Sequence, residues 1–555
     1  MKSRLHIGHW ILLFALAALP FAATFALSYP DERHYTDGAL QMLRDHDWLV
    51  PKTPENGTTN WLPRFHKPPL AYWVTAASFA AFGVNVLAAR LPFLLAGCGT
   101  IFLTWRLARK LSGSPGTALL AAVILSSHVQ FILAATRSIP DALLFFFVTL
   151  SAFGFLRLIV FGEFVAGAFW LAYGGAAGAA MSKGMLGACI VLFAWAFALV
   201  RERKFSAVRK LIHVPSLALA AALVLAWFAY IFHRYGMAAW QGFFSDQVTD
   251  NIHGNRFAPL WRAPVFALVL ALNFLPWSLP ALEAWWRGKG ALSGNGMSPV
   301  ARKFILAWAG TLVVVFALGV NVSVRYLLPA APLLAILVAD VLAGVPVVSL
   351  IISVRRILLF LLLALVLLTV LAGILNAQWG FTAMQFLVVG LFFVAVAMLG
   401  WGVLRSGWFS PAEGLGLALL LAFPLLFFAA HSILLPDPGG QMAATLRQMR
   451  INSASPVLFV GGPAMSSRVR LFLGGKCNLV RVAKLDPSRV ADYAAVFLPA
   501  ADAAALSSRG FVLLPAAVIA GAPPAGEWWS ALRHRQLPEL LERHGRIYML
   551  AIPGS

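Results

Sequence analysis

The sequence predicts an all-α polytopic membrane protein carrying a small C-terminal α/β unit. The chain has 555 residues, 60% of them hydrophobic and 12% charged, with a mean hydropathy of +0.81. A soluble chain of that size must cover itself with polar surface, so this balance indicates a helix bundle in lipid. Thirteen apolar windows approach the roughly 20 residues that a spanning helix needs. After residue 435 the pattern shortens to runs of strand length.

In order, the windows are Trp10–Leu27, Val86–Leu107, Thr117–Ala135, Ile139–Leu156, Phe164–Ala180, Met185–Val200, Leu211–Phe232, Ala263–Leu282, Phe304–Val320, Leu327–Val345, Ile357–Leu375, Phe381–Leu404 and Leu415–Leu435. The first, behind Lys2 and Arg4, resembles a secretory signal, but it has no small-residue cleavage site and is read as a retained span. With the N-terminus in the cytoplasm, alternate connections hold 18 Lys and Arg residues. The opposite connections beyond the second span hold only six: Arg137, Lys183, Arg234, Arg256, Arg262 and Arg325. This asymmetry sets the expected orientation, because basic loops stay on the cytoplasmic side. Pro68–Phe82 is apolar but short, and counting it as a span would turn every later basic connection outward. It is expected to be an interfacial helix with Tyr72 and Trp73 at headgroup depth.

Two parts are then expected outside the cytoplasm: the loop from Ser28 to about Asn85, and residues 436–555. The expected division is a transmembrane unit, 1–435, which includes the 28–85 loop, and a periplasmic α/β unit, 436–555. In the latter, "SPVLFVGG", "CNLVRV", "YAAVFLP", "GFVLLP" and "RIYMLAI" read as short strands, with helical stretches between some of them. Gly461-Gly462 completes neither a G-x-G-x-x-G nor a P-loop pattern, so it reads as a turn. Cys98 and Cys189 lie in apolar runs and Cys477 stands apart, giving no disulfide framework and no metal spacing. No metal or cofactor is expected. The net charge of +22 is explained by cytoplasmic loops and anionic membrane lipids rather than by nucleic acid.

Few charges stand at the external membrane boundary. Asp31 and Glu32 follow the first span in "YPDERHYTDGALQML", and Asp141, in "RSIPDALLFFF", lies about one turn into the fourth. An ionisable group at such depth costs a few kcal/mol unless paired or wet, so all three carboxylates are candidate catalytic groups. For Asp141 the competing reading is a place at a helix start behind Pro140, where an anion is favoured. Lys67, Arg137, Lys183, Arg256 and Arg325 are the complementary cations. Each alone reads as an interfacial anchor with a snorkelling stem. Together, on a face that basic residues avoid, they indicate a recessed anionic ligand such as a phosphate head group. A carboxylate there can take a proton from an acceptor hydroxyl while the cations hold a phosphate leaving group, with no divalent metal required. His34, His66 and His253 lack ligand spacing and read as polar loop residues.

"DERHYTDGALQMLRDHDWLVP", "HKPPLAYW" and "FGVNVLAARLP" resemble the first external loop of bacterial GT-C glycosyltransferases, the protein-O-mannosyltransferase-like group that includes the aminoarabinose transferases of lipid A (ArnT-like). The likeness continues through "RSIPDALLFF", "MSKG", "NRF…LPW" and "RYLLP", over about the first 345 residues. It implies a GT-C fold and a donor of the polyprenyl-phosphate-sugar type, such as undecaprenyl phosphate. The implied acceptor is a lipid or polysaccharide at the outer leaflet of the bacterial inner membrane, and the implied chemistry inverts the anomeric carbon. By the resemblance Asp31 is the catalytic acidic residue of the first loop and Asp141 a second acidic position. Lys67 is the loop lysine associated with donor phosphate, and Arg256 and Tyr326 lie near the same phosphate. Arg137, Lys183 and Arg325 join them from the charge argument alone. His34, beside Arg33, stands where lipid A aminoarabinose transferases carry an arginine. A monomer is expected, and the loop with Gly57 in "NGTTN" is expected to be a lid.

A polyprenyl-lipid flippase or transporter is the alternative, since it too needs charges at membrane depth. Transporters, however, show paired repeats and broken helices near the midplane, whereas these charges gather at one interface and no matching halves occur.

Overall fold

The computed structural model describes residues 6–24, 31–244, 258–279, 281–282, 296–318, 324–344, 410, 412–417, 419–420, 437–451, 455–476, 478–519, 527, 530, 534 and 546–553. Arg256, the windows Ile357–Leu375 and Phe381–Leu404 and most of Leu415–Leu435 lie outside them. The described helices begin with α1 (Ile7–Ala22), α2 (Glu32–Asp45), α3 (Leu70–Phe82), α4 (Val86–Ser112), α5 (Pro115–Ser126) and α6 (Val129–Ala135). They continue with α7 (Asp141–Phe161), α8 (Ala166–Lys183), α9 (Leu186–Glu202), α10 (Phe205–Leu211) and α11 (Val214–Tyr235). Among the described residues, five helices are long and apolar enough to cross a membrane, or six if α5 and α6 are one bent span. This is a multi-pass membrane protein. Helices α4, α9 and α11 are apolar all round: Leu95, Leu192 and Leu225 are exposed, while Phe93, Ile190 and Trp227 on the same helices are buried.

Close helix packing rests on small residues. A Cβ on Gly154 of α7 would stand 2.2 Å from the Ala172 nitrogen of α8, and one on Gly175 of α8 would stand 2.4 Å from the Ser151 nitrogen of α7. The two backbones therefore touch, and Ser151 Oγ donates across the contact to the Ala172 carbonyl at 2.7 Å. Because α7 and α8 are consecutive and joined by a short connection, the first residue of one comes level with the last residue of the other.

Two expectations need correction. The window Thr117–Ala135 is one apolar run in the sequence, yet α5 and α6 meet at 71°. Polar groups satisfy the break: Trp10 Nε1 donates to Ser126 Oγ at 2.7 Å, Trp277 Nε1 to Ser127 Oγ at 2.9 Å, and His128 Nδ1 accepts from the Phe131 nitrogen. Tyr72 is fully buried, with its ring 5.0 Å from that of Tyr35, so it is a core contact of α3 and α2 rather than a headgroup anchor. Trp73 donates to the Trp48 carbonyl. The expected lid contains an antiparallel hairpin, β1 (Lys52–Pro54) and β2 (Trp61–Pro63), and beyond its strands Gly57 donates to the Arg481 carbonyl at 2.7 Å. That hydrogen bond ties the hairpin down.

Each of the five strand-like segments near the C-terminal end forms a strand: β3 (Pro456–Val460), β4 (Asn478–Val482), β5 (Ala495–Pro499), β6 (Phe511–Ile519) and β7 (Arg546–Pro553). The sheet order is β4-β3-β5-β7-β6, with β3 parallel to β4 and β5, and β7 antiparallel to β5 and β6. Strand β3 is apolar throughout because both faces are covered. Val457 and Phe459 enter one core with Phe497, and Leu458 and Val460 enter the other with Val496. Helix Pro463–Phe472 crosses from β3 to β4 and packs on α2.

Replacing Gly154 with Val should force α7 and α8 apart and destabilise the protein by roughly 3 kcal/mol, read as a lowered thermal midpoint in detergent. The same change at Gly167, where a Cβ meets nothing within 4 Å, should have much less effect.

Candidate active site

The α7–α8 contact brings Asp141 to Lys183. Pro140 has no N–H to donate, so α7 starts directly after it, and Asp141 is its first residue rather than one turn inside as expected. Its carboxylate does not serve as a free helix cap. It is buried, with Oδ1 2.5 Å from Lys183 Nζ. Lys183 ends α8, and Gly184, at φ +80°, turns the chain away where a side chain would be strained.

A short 3-10 helix, Val324–Ala330, supplies Arg325 and Tyr326. Trp308 Nε1 donates to the Pro329 carbonyl at 3.3 Å and steadies this turn. Arg325 Nη2 donates to Asp31 Oδ2 at 3.0 Å, and its Nη1 lies 3.9 Å from Asp141 Oδ2. The Tyr326 ring underlies Lys183 at 4.3 Å and Arg325 at 5.6 Å, backed by Phe316 at 5.4 Å. Four charged groups thus form one chain: Asp31, Arg325, Asp141, Lys183. Exposure separates the carboxylates, since the Asp31 side chain is 46% exposed and that of Asp141 only 4%. Of the two, only Asp31 is open to solvent.

Glu32 differs from its neighbour. Its Oε1 accepts from Arg90 Nε at 2.8 Å and from the Ser138 nitrogen at 2.8 Å, and its Oε2 accepts from Arg90 Nη2 at 2.7 Å. It is buried, so the expected catalytic role gives way to a tie between α2, α4 and the turn before α7. Arg90 was missed in the sequence because it lies inside an apolar window. An arginine in a predicted span was the available signal. It is 1% exposed and also donates to the Thr24 carbonyl at 2.5 Å.

Lys67 is half-buried in the turn before α3, and Arg137 is half-buried between α6 and α7, one residue before Ser138. Arg256 lies outside the described residues. A further basic group went unnoticed: Arg64, which follows β2, acts electrostatically on Arg33 and His34 of α2. Burial, then Arg64, Arg33 and His66, push His34 down to about 3, so it is neutral at neutral pH and accepts from Arg33 Nε at 3.3 Å.

Fold and site together define a polytopic membrane protein with a carboxylate–arginine centre at one end of its bundle. Residues 66–230 match the family described as dolichyl-phosphate-mannose-protein mannosyltransferase. An uncharacterised protein of Aquifex aeolicus is 31% identical over 330 residues, which are 57% of this chain and 60% of that one. An undecaprenyl phosphate-alpha-4-amino-4-deoxy-L-arabinose arabinosyl transferase of Pseudomonas fluorescens is 28% identical over 356 residues, 62% of this chain and 60% of that one. The chain thus spans about three fifths of the length of these two relatives. The crystal structure of ArnT from Cupriavidus metallidurans bound to undecaprenyl phosphate superposes with a TM-score of 0.71 at 17% identity, covering 98% of each chain. The chain thus shares the fold of that structure and resembles these two relatives in sequence over about three fifths of their length.

Arg90→Met should cost roughly 3 kcal/mol or more, because it leaves Glu32 buried without its cation; thermal unfolding in detergent measures it. His34 brings a pH dependence. Its folded pKa of about 3 lies below the unfolded 6.5, so below pH 6.5 the unfolded chain binds a proton that the folded chain does not. Stability should fall as pH drops from 6.5 toward 3, and His34→Asn should flatten that slope in thermal midpoints taken across pH 7 to 4.

Proposed function

We propose that the protein is an integral-membrane glycosyltransferase that moves a sugar from a polyprenyl phosphate, undecaprenyl phosphate in the first instance, to a lipid-linked or polysaccharide acceptor such as lipid A. The observation that carries this reading is the half-exposed Asp31 carboxylate, oriented by Arg325 in a GT-C fold. Asp31 takes the proton of the acceptor hydroxyl as its oxygen attacks the anomeric carbon. The bond from that carbon to the phosphate oxygen breaks on the opposite face, and its electron pair leaves with the polyprenyl phosphate. Configuration inverts, and no separate acid is needed because the phosphate leaves as a stable anion.

Asp141 keeps Arg325 and Lys183 in place and does not reach the acceptor itself. Lys67, Arg137 and Arg325 hold the departing phosphate, with Arg256 assigned to the same task by its sequence context and Tyr326 shaping the wall. Lys183 answers the charge of Asp141. The chain lies in the bacterial inner membrane as a monomer, with its N-terminus cytoplasmic and residues 436–555 forming a periplasmic unit.

The test uses purified protein in nanodiscs with labelled undecaprenyl phosphate-linked aminoarabinose and a lipid A acceptor. Wild-type protein should form labelled acceptor, and Asp31→Asn should lower turnover by about a hundredfold or more with donor affinity changed less than about twofold. Turnover of Asp31→Asn near wild type removes Asp31 from the mechanism. Movement of donor across the bilayer without product would instead favour the flippase.

A further inference from the structure

Helix α2 has Asp31 at its start and is gripped from three sides. Its first turn is tied to the bundle by Glu32 and Arg90. On the α3 side there is no slack, since a Cβ on Gly38 would stand 2.7 Å from the Tyr72 ring. The third grip comes from the C-terminal unit. Asp37 Oδ1 accepts from Arg470 Nε at 3.1 Å and Oδ2 from Arg470 Nη2 at 2.8 Å. Thr36 Oγ1 and Ser467 Oγ are 3.3 Å apart, and the Arg44 guanidinium donates to the Gly475 carbonyl.

Arg470 is 2% exposed and serves three elements at once. Besides Asp37, its Nη1 donates to the Leu479 carbonyl of β4 at 3.3 Å, and its guanidinium covers the Trp61 ring of β2 at 5.6 Å. Two residues before the fork, Arg468 of the same helix pairs with Asp437 at 3.3 Å and acts electrostatically on Glu32 and Arg90. A two-pronged arginine–carboxylate pair fixes both distance and plane, which a lysine point charge cannot do.

We infer that the Asp37–Arg470 fork is a positioning device for the reaction: through it the C-terminal unit sets the rotation and height of α2, and so aims Asp31 at the reacting carbon. This rests on the assignment of Asp31 as base proposed above. Asp37 lies six residues along the helix, roughly 9 Å from Asp31. A small tilt at the fork therefore shifts the base, and a misplacement of about 1 Å can cost a hundredfold in rate.

The full-length protein in nanodiscs tests this with Arg470→Lys and Asp37→Asn. Each should lower kcat about tenfold or more while the donor KM stays within about twofold, and amide exchange should quicken in residues 32–45 but not in α7 or α8. An Arg470→Lys variant with unchanged kcat and unchanged α2 exchange overturns the positioning role. So does a loss shared by kcat, donor binding and α7–α8 protection, because that is general unfolding. If neither variant can be purified, Thr36→Ala combined with Ser467→Ala loosens the same interface beside the fork more gently and should show the same split on a smaller scale. Its absence there counts equally against the inference. Wild-type protein without transfer activity overturns the proposed function instead, whereas active wild type with an undisturbed Arg470→Lys overturns only the role of the fork.

Discussion

A charged carboxylate persists inside an apolar helix bundle only with a cation held against it, and the Asp141–Lys183 pair is where this protein meets that demand. Desolvating both ions costs several kcal/mol each, so the contact must be short and kept short. The glycines that let α7 and α8 touch backbone to backbone hold the helices close, and the short connection between them sets their ends level. Removing either ion would leave the other stranded. The pair therefore anchors the site before any ligand arrives, and Arg325 can reach from it to the half-exposed Asp31.

Around this anchor the protein uses arginine repeatedly as a two-pronged tie. Arg90 grips Glu32, Arg470 grips Asp37, and Arg302 holds Asp340 at 2.9 Å between helices Pro299–Ala317 and Ala331–Ala343. Two of the three act on α2, which also buries Tyr35, Ala39 and Met42 in the core. Burial holds such a helix against its neighbours, and the arginine forks fix its rotation. Directional bonds in turn leave it a defined orientation.

Much of this was legible beforehand. Apolar windows indicated a multi-pass chain, and the five strand-like segments near the C-terminal end all form strands. Asp31, Asp141, Lys183, Arg325 and Tyr326 were singled out as rare charges or motif residues, and they come together from four separate elements. Glu32 was misread because adjacency to Asp31 in the chain says nothing of direction. On a helix the next residue points about 100° away, and for Glu32 that direction leads to Arg90. The bend between α5 and α6 was invisible because Ser126, Ser127 and His128 interrupt the hydropathy too briefly to divide an apolar window.

Composition and periodicity by themselves determined that this chain lives in lipid, which segments near its C-terminal end form strands, and which ionisable residues are rare enough in apolar surroundings to need partners. Those are local properties, since the cost of placing a group in hydrocarbon depends on the group itself. Only the tertiary structure decided which carboxylate stays open, which are sealed by arginine, and that the C-terminal unit grips the helix bearing Asp31. Partners separated by up to 433 residues make those choices, and no local pattern encodes a contact between them.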